Sequence, residues 1–247
     1  LNSSSALFEE PENLLKQEVR EPSLYNAIIS AIASGASKLS EISTKVGENS
    51  STCTAYLKNL ISLGLIHRET PYGEKNSKKT IYTVEDNMFR FWYRFIPDNA
   101  SLIVRGASDL AYQRIRPQLS DYMGKIFEDI CTQYLWQLLL NGKSPVFFKE
   151  LGRWWGTDPA THAQTEIDIM GEQDKNTALF CECKWTNDLV DFGVLELLVH
   201  RSQLFHYNST HLFLFSKNGF TSGCTEMAEK LGNVTLVSYS DIYGSCQ

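Results

Sequence analysis

Glu166-Ile167-Asp168-Ile169-Met170 and Leu179-Phe180-Cys181-Glu182-Cys183-Lys184-Trp185 are two short apolar stretches interrupted by charge, and a polar turn from Gly171 to Asn176 separates them. Successive side chains on a strand point to opposite faces, with alternate residues about 6.6 Å apart on one face. Glu182 and Lys184 therefore stand side by side, while Cys181, Cys183 and Trp185 point the other way. If the two strands pair as a hairpin, Asp168 reaches the face of Glu182 and Lys184. Two carboxylates and a lysine then converge on a sheet otherwise built from Ile, Leu and Phe. Charges buried without partners are costly, so a metal ion accounts for them.

The residue types fit that chemistry. Magnesium, or manganese in its place, prefers oxygen ligands and keeps several waters, so one or two carboxylates hold it. A bound metal polarises a phosphoryl oxygen and lowers the pKa of its water. Asp168 and Glu182 are the expected ligands, with the backbone carbonyl of Cys183 available as another. Lys184 is expected to orient the attacking water or to offset charge developing on the phosphate. The competing reading is a surface ladder, in which Glu and Lys alternate on an edge strand to discourage aggregation. Apolar residues flank the charges on both strands, which favours a central position and a metal-dependent phosphodiesterase site.

Asp168 followed by Glu182-Cys183-Lys184 on the next strand resembles the signature of PD-(D/E)xK nucleases. That superfamily also places a glutamate on the helix before its core sheet. Glu128, within Gly124-Lys125-Ile126-Phe127-Glu128-Asp129-Ile130-Cys131, matches that position. The resemblance implies that Glu128 is a further metal or water ligand, whereas by itself a helical carboxylate beside Asp129 is ordinary. Ile167 stands where the superfamily often has proline. Over its whole length the chain is similar to the C-terminal half of archaeal-type P-loop ATPases. The matching elements are a winged helix, Phe91-Trp92-Tyr93-Arg94-Phe95, Gly124-x-x-Phe127-Glu128, Glu166-Ile167-Asp168 and Glu182-Cys183-Lys184-Trp185. In that family a nucleotide-binding domain precedes a winged helix and a nuclease-like domain of uncharacterised function. The resemblance implies an ATPase domain in the intact protein, with residues 1–21 as its tail.

The winged helix is also legible from the residues. Leu24 to Ala33 carries apolar residues at helical spacing and ends at Gly35. Ser37 is placed to cap a short second helix containing Leu39, Ile42 and Val46, which Gly47 stops. A third helix starts at Asn49 or Ser50 and is expected to bury Ala55, Leu57, Leu60 and Ile61. Strands at Ile66 to Glu69 and Thr80 to Val84 flank the wing. Ser51, Thr52, Thr54 and Lys58 on the third helix, with Lys75, Lys78 and Lys79 on the wing, suit phosphate contacts to duplex DNA. The competing reading is a protein–protein module, because the helix lacks a central Arg or Asn to read bases.

The expected domains are the tail at 1–21, a winged helix-turn-helix at 22–86, a helical connector at 87–119 and a nuclease-like α/β domain at 120–247. In the connector, Met88 to Ile96 is unusually aromatic. Base stacking is one reading, and packing of the first domain onto the second is the favoured one. The last domain is expected to be a mixed sheet flanked by helices. A helix from about Ser120 to Leu140 leads to strands at Val146 to Lys149, at Asp168 and at Glu182. Further elements are a crossover helix at Leu189 to Phe205, a strand at His211 to Phe215, a helix at Ser222 to Leu231 and a strand at Val234 to Val237.

Lesser candidates surround the motif. Glu166 shares strand parity with Asp168 and is an alternative ligand. Gln203, four residues before Tyr207, resembles a glutamine–tyrosine motif of some helicase-linked nucleases, which implies a supporting role behind the ligands. His162 lies in a loop, and Trp154 and Trp155 are read as cover for the sheet. Asn141-Gly142-Lys143-Ser144 lacks the first glycine of a phosphate-binding loop and is a helix-to-strand turn.

Composition sets the outer limits. At 247 residues and 43% apolar content the chain can bury one large core or two smaller ones. Its longest apolar runs fall short of the roughly 20 residues a bilayer span requires, so no membrane partner is expected. The start is polar and without Met, which suggests a fragment and no signal peptide. Six scattered cysteines follow no disulfide spacing, consistent with a reduced, cytoplasmic protein. Cys181-x-Cys183 is too close for a zinc pair. The net charge of −6 opposes nucleic-acid binding until the chain is divided. Residues 22–85 carry seven Lys or Arg against five Asp or Glu, a balance of +2. The expected function is a magnesium-dependent nuclease module with a DNA-binding winged helix. A homodimer would let it cut both strands. The alternative is a catalytically silent DNA-binding or regulatory module on a nuclease fold.

Overall fold

The computed structural model describes residues 5, 8, 10, 11, 13, 15, 22–74 and 77–244. Its contacts divide the chain into two compact units, Leu1–Thr70 with Asn76–Pro117, and Pro71–Lys75 with Gln118–Gln247. The protein is a mixed α/β chain, and each unit has its own core.

In the first unit, α1 (Pro22–Ala33), α2 (Leu39–Val46) and α3 (Ser50–Ser62) precede an antiparallel hairpin of β1 (Ile66–Glu69) and β2 (Ile81–Val84). Local chemistry sets the helix ends. Gly47 adopts φ +81° and donates its N–H to Ser43 O, a left-handed stop that glycine adopts without a Cβ penalty. Asn49 accepts from the N–H of Thr52 at 2.8 Å and so caps α3. The cap of α2 differs from the expectation. Its helix begins after Lys38, and Glu41 Oε2 reaches back to accept from the N–H groups of Ser37 and Lys38. On α3 the buried stripe is Cys53, Leu57 and Leu60, one turn apart, while Ala55 is exposed.

Helix α4 (Asn87–Phe95), a 3₁₀ turn at Pro97–Asn99, α5 (Ala100–Val104) and α6 (Ser108–Ile115) complete this unit. Asp86 caps α4 by accepting from Met88 and Phe89 N–H. Phe89, Trp92, Tyr93 and Ile96 join Ile28, Ile29, Ile42, Leu57 and Leu60 in one core. Of the expected tail, only six residues are described; Leu15 is fully buried in this core, and Phe8 O accepts from Trp92 Nε1 at 2.8 Å.

The second unit places α7 (Leu119–Leu140) before a five-stranded sheet. Its strands are β3 (Gly152–Thr157), β4 (Gln164–Asp174), β5 (Thr177–Lys184), β6 (Ser209–Ser216) and β7 (Val234–Ser238), in the order β3-β4-β5-β6-β7. β3, β4 and β5 form an antiparallel meander, and β5, β6 and β7 run parallel. Parallel neighbours need crossovers, here α8 (Phe192–Ser202) and α9 (Ser222–Leu231); a short α10 (Tyr239–Gly244) ends the described chain. One face of the sheet buries Ile169, Leu179, Cys181, Phe213 and Phe215 against Phe127, Cys131 and Leu135 of α7. The other buries Met170, Phe180, Leu212 and Leu214 against Leu195 and Leu198 of α8 and Cys224 and Ala228 of α9.

Two expectations fail here. Val146 to Lys149 forms no strand, although Val146 and Phe148 are buried and Phe147 is exposed. The Phe147 N–H bonds instead to the Gln173 side chain at 3.1 Å, and the strand is Gly152–Thr157. The polar segment 171–176 is not all turn either. Strand β4 continues to Asp174, where Oδ1 accepts from Asn176 and Thr177 N–H and closes a tight turn. Gly171 remains in the ladder opposite Leu179, and glycine suits the position because a Cβ there would lie 2.7 Å from Leu151 Cδ2.

Candidate functional site

A β-bulge builds the site. Gly152 pairs with Met170 and Trp154 with Ile167, so Arg153 alone opposes both Asp168 and Ile169. The extra residue resets the side-chain alternation. Ile167 lies in the core on the α8 side, and Ile169 in the core on the α7 side, despite their even spacing. Beyond the bulge β4 pairs with β5 in a register that places Ile169 opposite Cys181. Asp168 Oδ2 accepts from the Cys183 N–H at 2.8 Å, so the carboxylate replaces a ladder bond next to Glu182 and Lys184.

Glu182 and Lys184 share one face, as alternation requires. Glu182 is only 3% exposed, and both its oxygens are occupied. Lys184 Nζ lies 2.5 Å from Oε1, and Arg201 Nη1 of α8 lies 2.6 Å from Oε2. A buried carboxylate is tolerated when paired in this way. Burial by itself would lower the Lys184 pKa, but the Glu182 carboxylate overrides it and raises the lysine above its usual value. Asp168 is the opposite case. Burial first, then the charges of Glu182 and Glu128, push it up to about 7.

Glu128 reaches the cluster from α7. Its Oε2 is 2.7 Å from Lys125 Nζ, and its charge acts on both Asp168 and Arg153. Burial alone would lower the Arg153 pKa; Glu128, Glu166 and Asp168 raise it instead. Glu166 is turned to Arg153, at 2.6 Å from Nη2, and is half exposed. Parity with Asp168 does not make it a ligand, because the bulge breaks that parity. Arg153 and Arg201 share an unusual feature: in each, the buried Nε has no hydrogen-bond partner among the described residues.

The other candidates lie apart. Gln203 lines a hollow of about 550 Å³ with Ser202, Tyr207, Asn208 and Asn233, among which Glu128, Asp168, Glu182 and Lys184 do not appear. His162 is an exposed turn residue at φ +55°. Trp154 packs edge-on against Phe205 at 5.0 Å between ring centres. The thiols of Cys181 and Cys183 are pushed well up by burial and stay protonated, which suits core residues and not ligands. In the first unit Ser51 and Lys58 of α3, with Lys78 and Lys79, are exposed, and Thr52 and Thr54 are half-buried. The Thr54 hydroxyl bonds back to Ser50 O at 2.7 Å. Lys75 lies outside the described residues.

The donor set can be tested against a metal. Among the described residues no three His, Cys, Asp or Glu side chains are grouped closely enough to hold one. The carboxylates of Asp168 and Glu182 are the oxygen donors that magnesium or manganese would take. Asp168, crowded by negative charge, fits a cation, and Glu182 fits once an oxygen is released.

Two partners escaped the sequence. Arg201 lies 19 residues from Glu182, and no spacing rule joins a helix residue to a strand residue at that distance. Asp158, buried at the end of β3, meets His200 Nε2 at 2.8 Å, and this bond with the Ala160 N–H lowers its pKa to about 2. Only the i, i+2 polar alternation of Glu182 and Lys184 could have marked their face as one awaiting further charge.

Similarity to known proteins bears on part of this chain. Residues 92–196 match DUF234, described as archaea bacterial proteins of unknown function. An uncharacterized protein of Methanocaldococcus jannaschii is 38% identical over 195 residues, 78% of this chain. The chain spans 42% of that relative's length. Among solved structures, an O-methyltransferase from neocarzinostatin biosynthesis, crystallised with S-adenosyl-L-homocysteine, aligns with 95% of this chain and 67% of its own. At 13% identity and a TM-score of 0.22, that likeness carries no argument. Among the described residues no helix is long and apolar enough to cross a membrane.

Proposed function

We propose that the second unit is a magnesium- or manganese-dependent phosphodiesterase module acting on nucleic acid. The observation that carries this reading is the bulge that sets Asp168 beside Glu182 and Lys184, where two neighbouring carboxylates crowd it. The order helix, three-stranded antiparallel meander, helix, parallel strand supports a PD-(D/E)xK-like core. Asp168 and Glu182 would hold the ion, with Glu128 bearing on it through charge or a water. The bound ion would polarise the phosphodiester and lower the pKa of the attacking water. Lys184 has the charge and position to offset negative charge on the phosphate. The bulge and the Cys183 N–H keep Asp168 fixed, so little reorganisation accompanies reaction.

The first unit would bind duplex DNA as a winged helix, with α3 as the groove element and Ser51, Thr52, Lys58, Lys78 and Lys79 on phosphates. Three helices followed by a hairpin support that reading. In the longer protein an ATPase domain would drive the module. A second reading, a silent nuclease fold that serves as a platform, is favoured by one observation: both oxygens of Glu182 are already neutralised.

The decisive experiment is calorimetric titration of magnesium and manganese into wild type and Asp168→Ala, followed by cleavage assays on duplex and single-stranded DNA and RNA. Metal binding lost with Asp168, and cleavage lost with it, supports the phosphodiesterase. A folded wild type that binds neither ion moves the assignment to the silent platform.

A further inference from the structure

We propose that Arg201 is a gate: its ion pair closes Glu182 to metal until a substrate phosphate draws the guanidinium away. The inference rests on the phosphodiesterase reading and adds an order of events to it.

Glu182 has two oxygens and two cationic partners, Lys184 Nζ on Oε1 and Arg201 Nη1 on Oε2. A metal needs one of those oxygens. The two partners are not equivalent. Lys184 neighbours Glu182 on its own strand, so its ammonium stays within reach of Glu182 whatever its rotamer, whereas Arg201 reaches Oε2 from a separate element. Arg201 sits in the last turn of α8 on a long side chain, only 14% exposed. Its bond to Glu182 uses Nη1, which leaves the Nε–Nη2 edge, and its buried Nε has no partner among the described residues. An unpaired buried donor is costly. That edge matches two oxygens of a phosphate in a bidentate pair. A substrate phosphate offered to that edge would compete with Glu182 for the guanidinium. Asp168, without a cation of its own on Oδ2, waits beside it on the Cys183 N–H.

Metal and phosphodiester should therefore bind cooperatively, each making the other's place. Without nucleic acid, Arg201→Gln should bind manganese about tenfold more tightly than wild type, because a charged hydrogen bond no longer competes for Oε2. The same variant should bind a duplex oligonucleotide more weakly, with the salt slope of binding reduced by about 1. Arg201→Lys, which keeps the charge, should stay near wild type for manganese alone.

Calorimetry with manganese, and anisotropy of a labelled duplex in calcium, read both effects without cleavage. Thermal melts establish that the variants fold. In wild type, saturating duplex should raise manganese affinity about tenfold, and Arg201→Gln should abolish most of that gain. A folded Arg201→Gln that binds manganese no better than wild type overturns the gate. If that variant does not fold, absence of metal–duplex coupling in wild type overturns it instead. Asp168→Ala separates the two ideas. Unchanged manganese binding in Asp168→Ala defeats the phosphodiesterase reading itself. Binding lost there but unaltered in Arg201→Gln defeats only the gate.

Discussion

The candidate site of the second unit and the candidate nucleic-acid surface of the first are built in opposite ways. Around Glu182 the charges are held by partners drawn from β3, β4, β5, α7 and α8, with Asp168 held on a backbone N–H. On α3 and the wing, Lys58, Lys78 and Lys79 are exposed on a scaffold whose caps and stops are local. Interacting charges buried together must be satisfied by one another, because water cannot do it. Exposed charges need no partner, and their removal is nearly free. Substitutions in the two regions should therefore differ in kind as well as size.

The largest effect belongs to Asp168→Ala, which should lower metal-dependent cleavage by about a thousandfold or more while leaving a cooperative thermal melt. Residual cleavage at the wild-type rate would end the contrast, since the site would then be only structural. Next is Phe127→Ala. Phe127 is fully buried one residue before Glu128 and 5.1 Å from the Trp185 ring centre. Its truncation should cost about 3–5 kcal/mol, read from urea midpoints, and loosen Glu128 relative to the strands.

Asn49→Ala removes the α3 cap and should cost about 1 kcal/mol, measured the same way. Asp158 gives a pH test. Its folded pKa lies near 2, below the ordinary carboxylate value, so its contribution is complete above about pH 4 and lost as pH falls toward 2. Wild type should thus lose more melting temperature than Asp158→Asn between pH 5 and pH 3; parallel curves would remove His200 as its partner. The smallest stability change is expected for Lys58→Ala with Lys78→Ala and Lys79→Ala, within about 0.5 kcal/mol. That triple variant should nonetheless bind duplex with a salt slope reduced by about 3. A slope that does not move would favour a protein-binding role for the first unit.

Much of the architecture was legible because its signals are short-range. Apolar spacing located α1, α3 and α7, Gly47 and Asn49 marked ends of α2 and α3, and strand alternation put Glu182 beside Lys184. Where the same reasoning failed, a distant contact had overridden it. Val146 to Phe148 alternates like a strand but finds no ladder partner. Gly171 resembles a turn residue but stays in β4, paired with Leu179, where Leu151 and Glu150 leave no space for a Cβ.

By itself, then, the sequence determined most of the helices and strands, the stop of α2 and the cap of α3, and the pairing of one carboxylate with one lysine on a single face. These depend on residues within about a turn or two of each other, where backbone geometry fixes who meets whom. Tertiary structure alone decided that Asp168 sits on a bulge, that Glu128 acts on it from α7, and that Arg201 pairs with Glu182. Those contacts arise only when sheet and helices pack, because a buried charge accepts whichever distant partner the fold delivers.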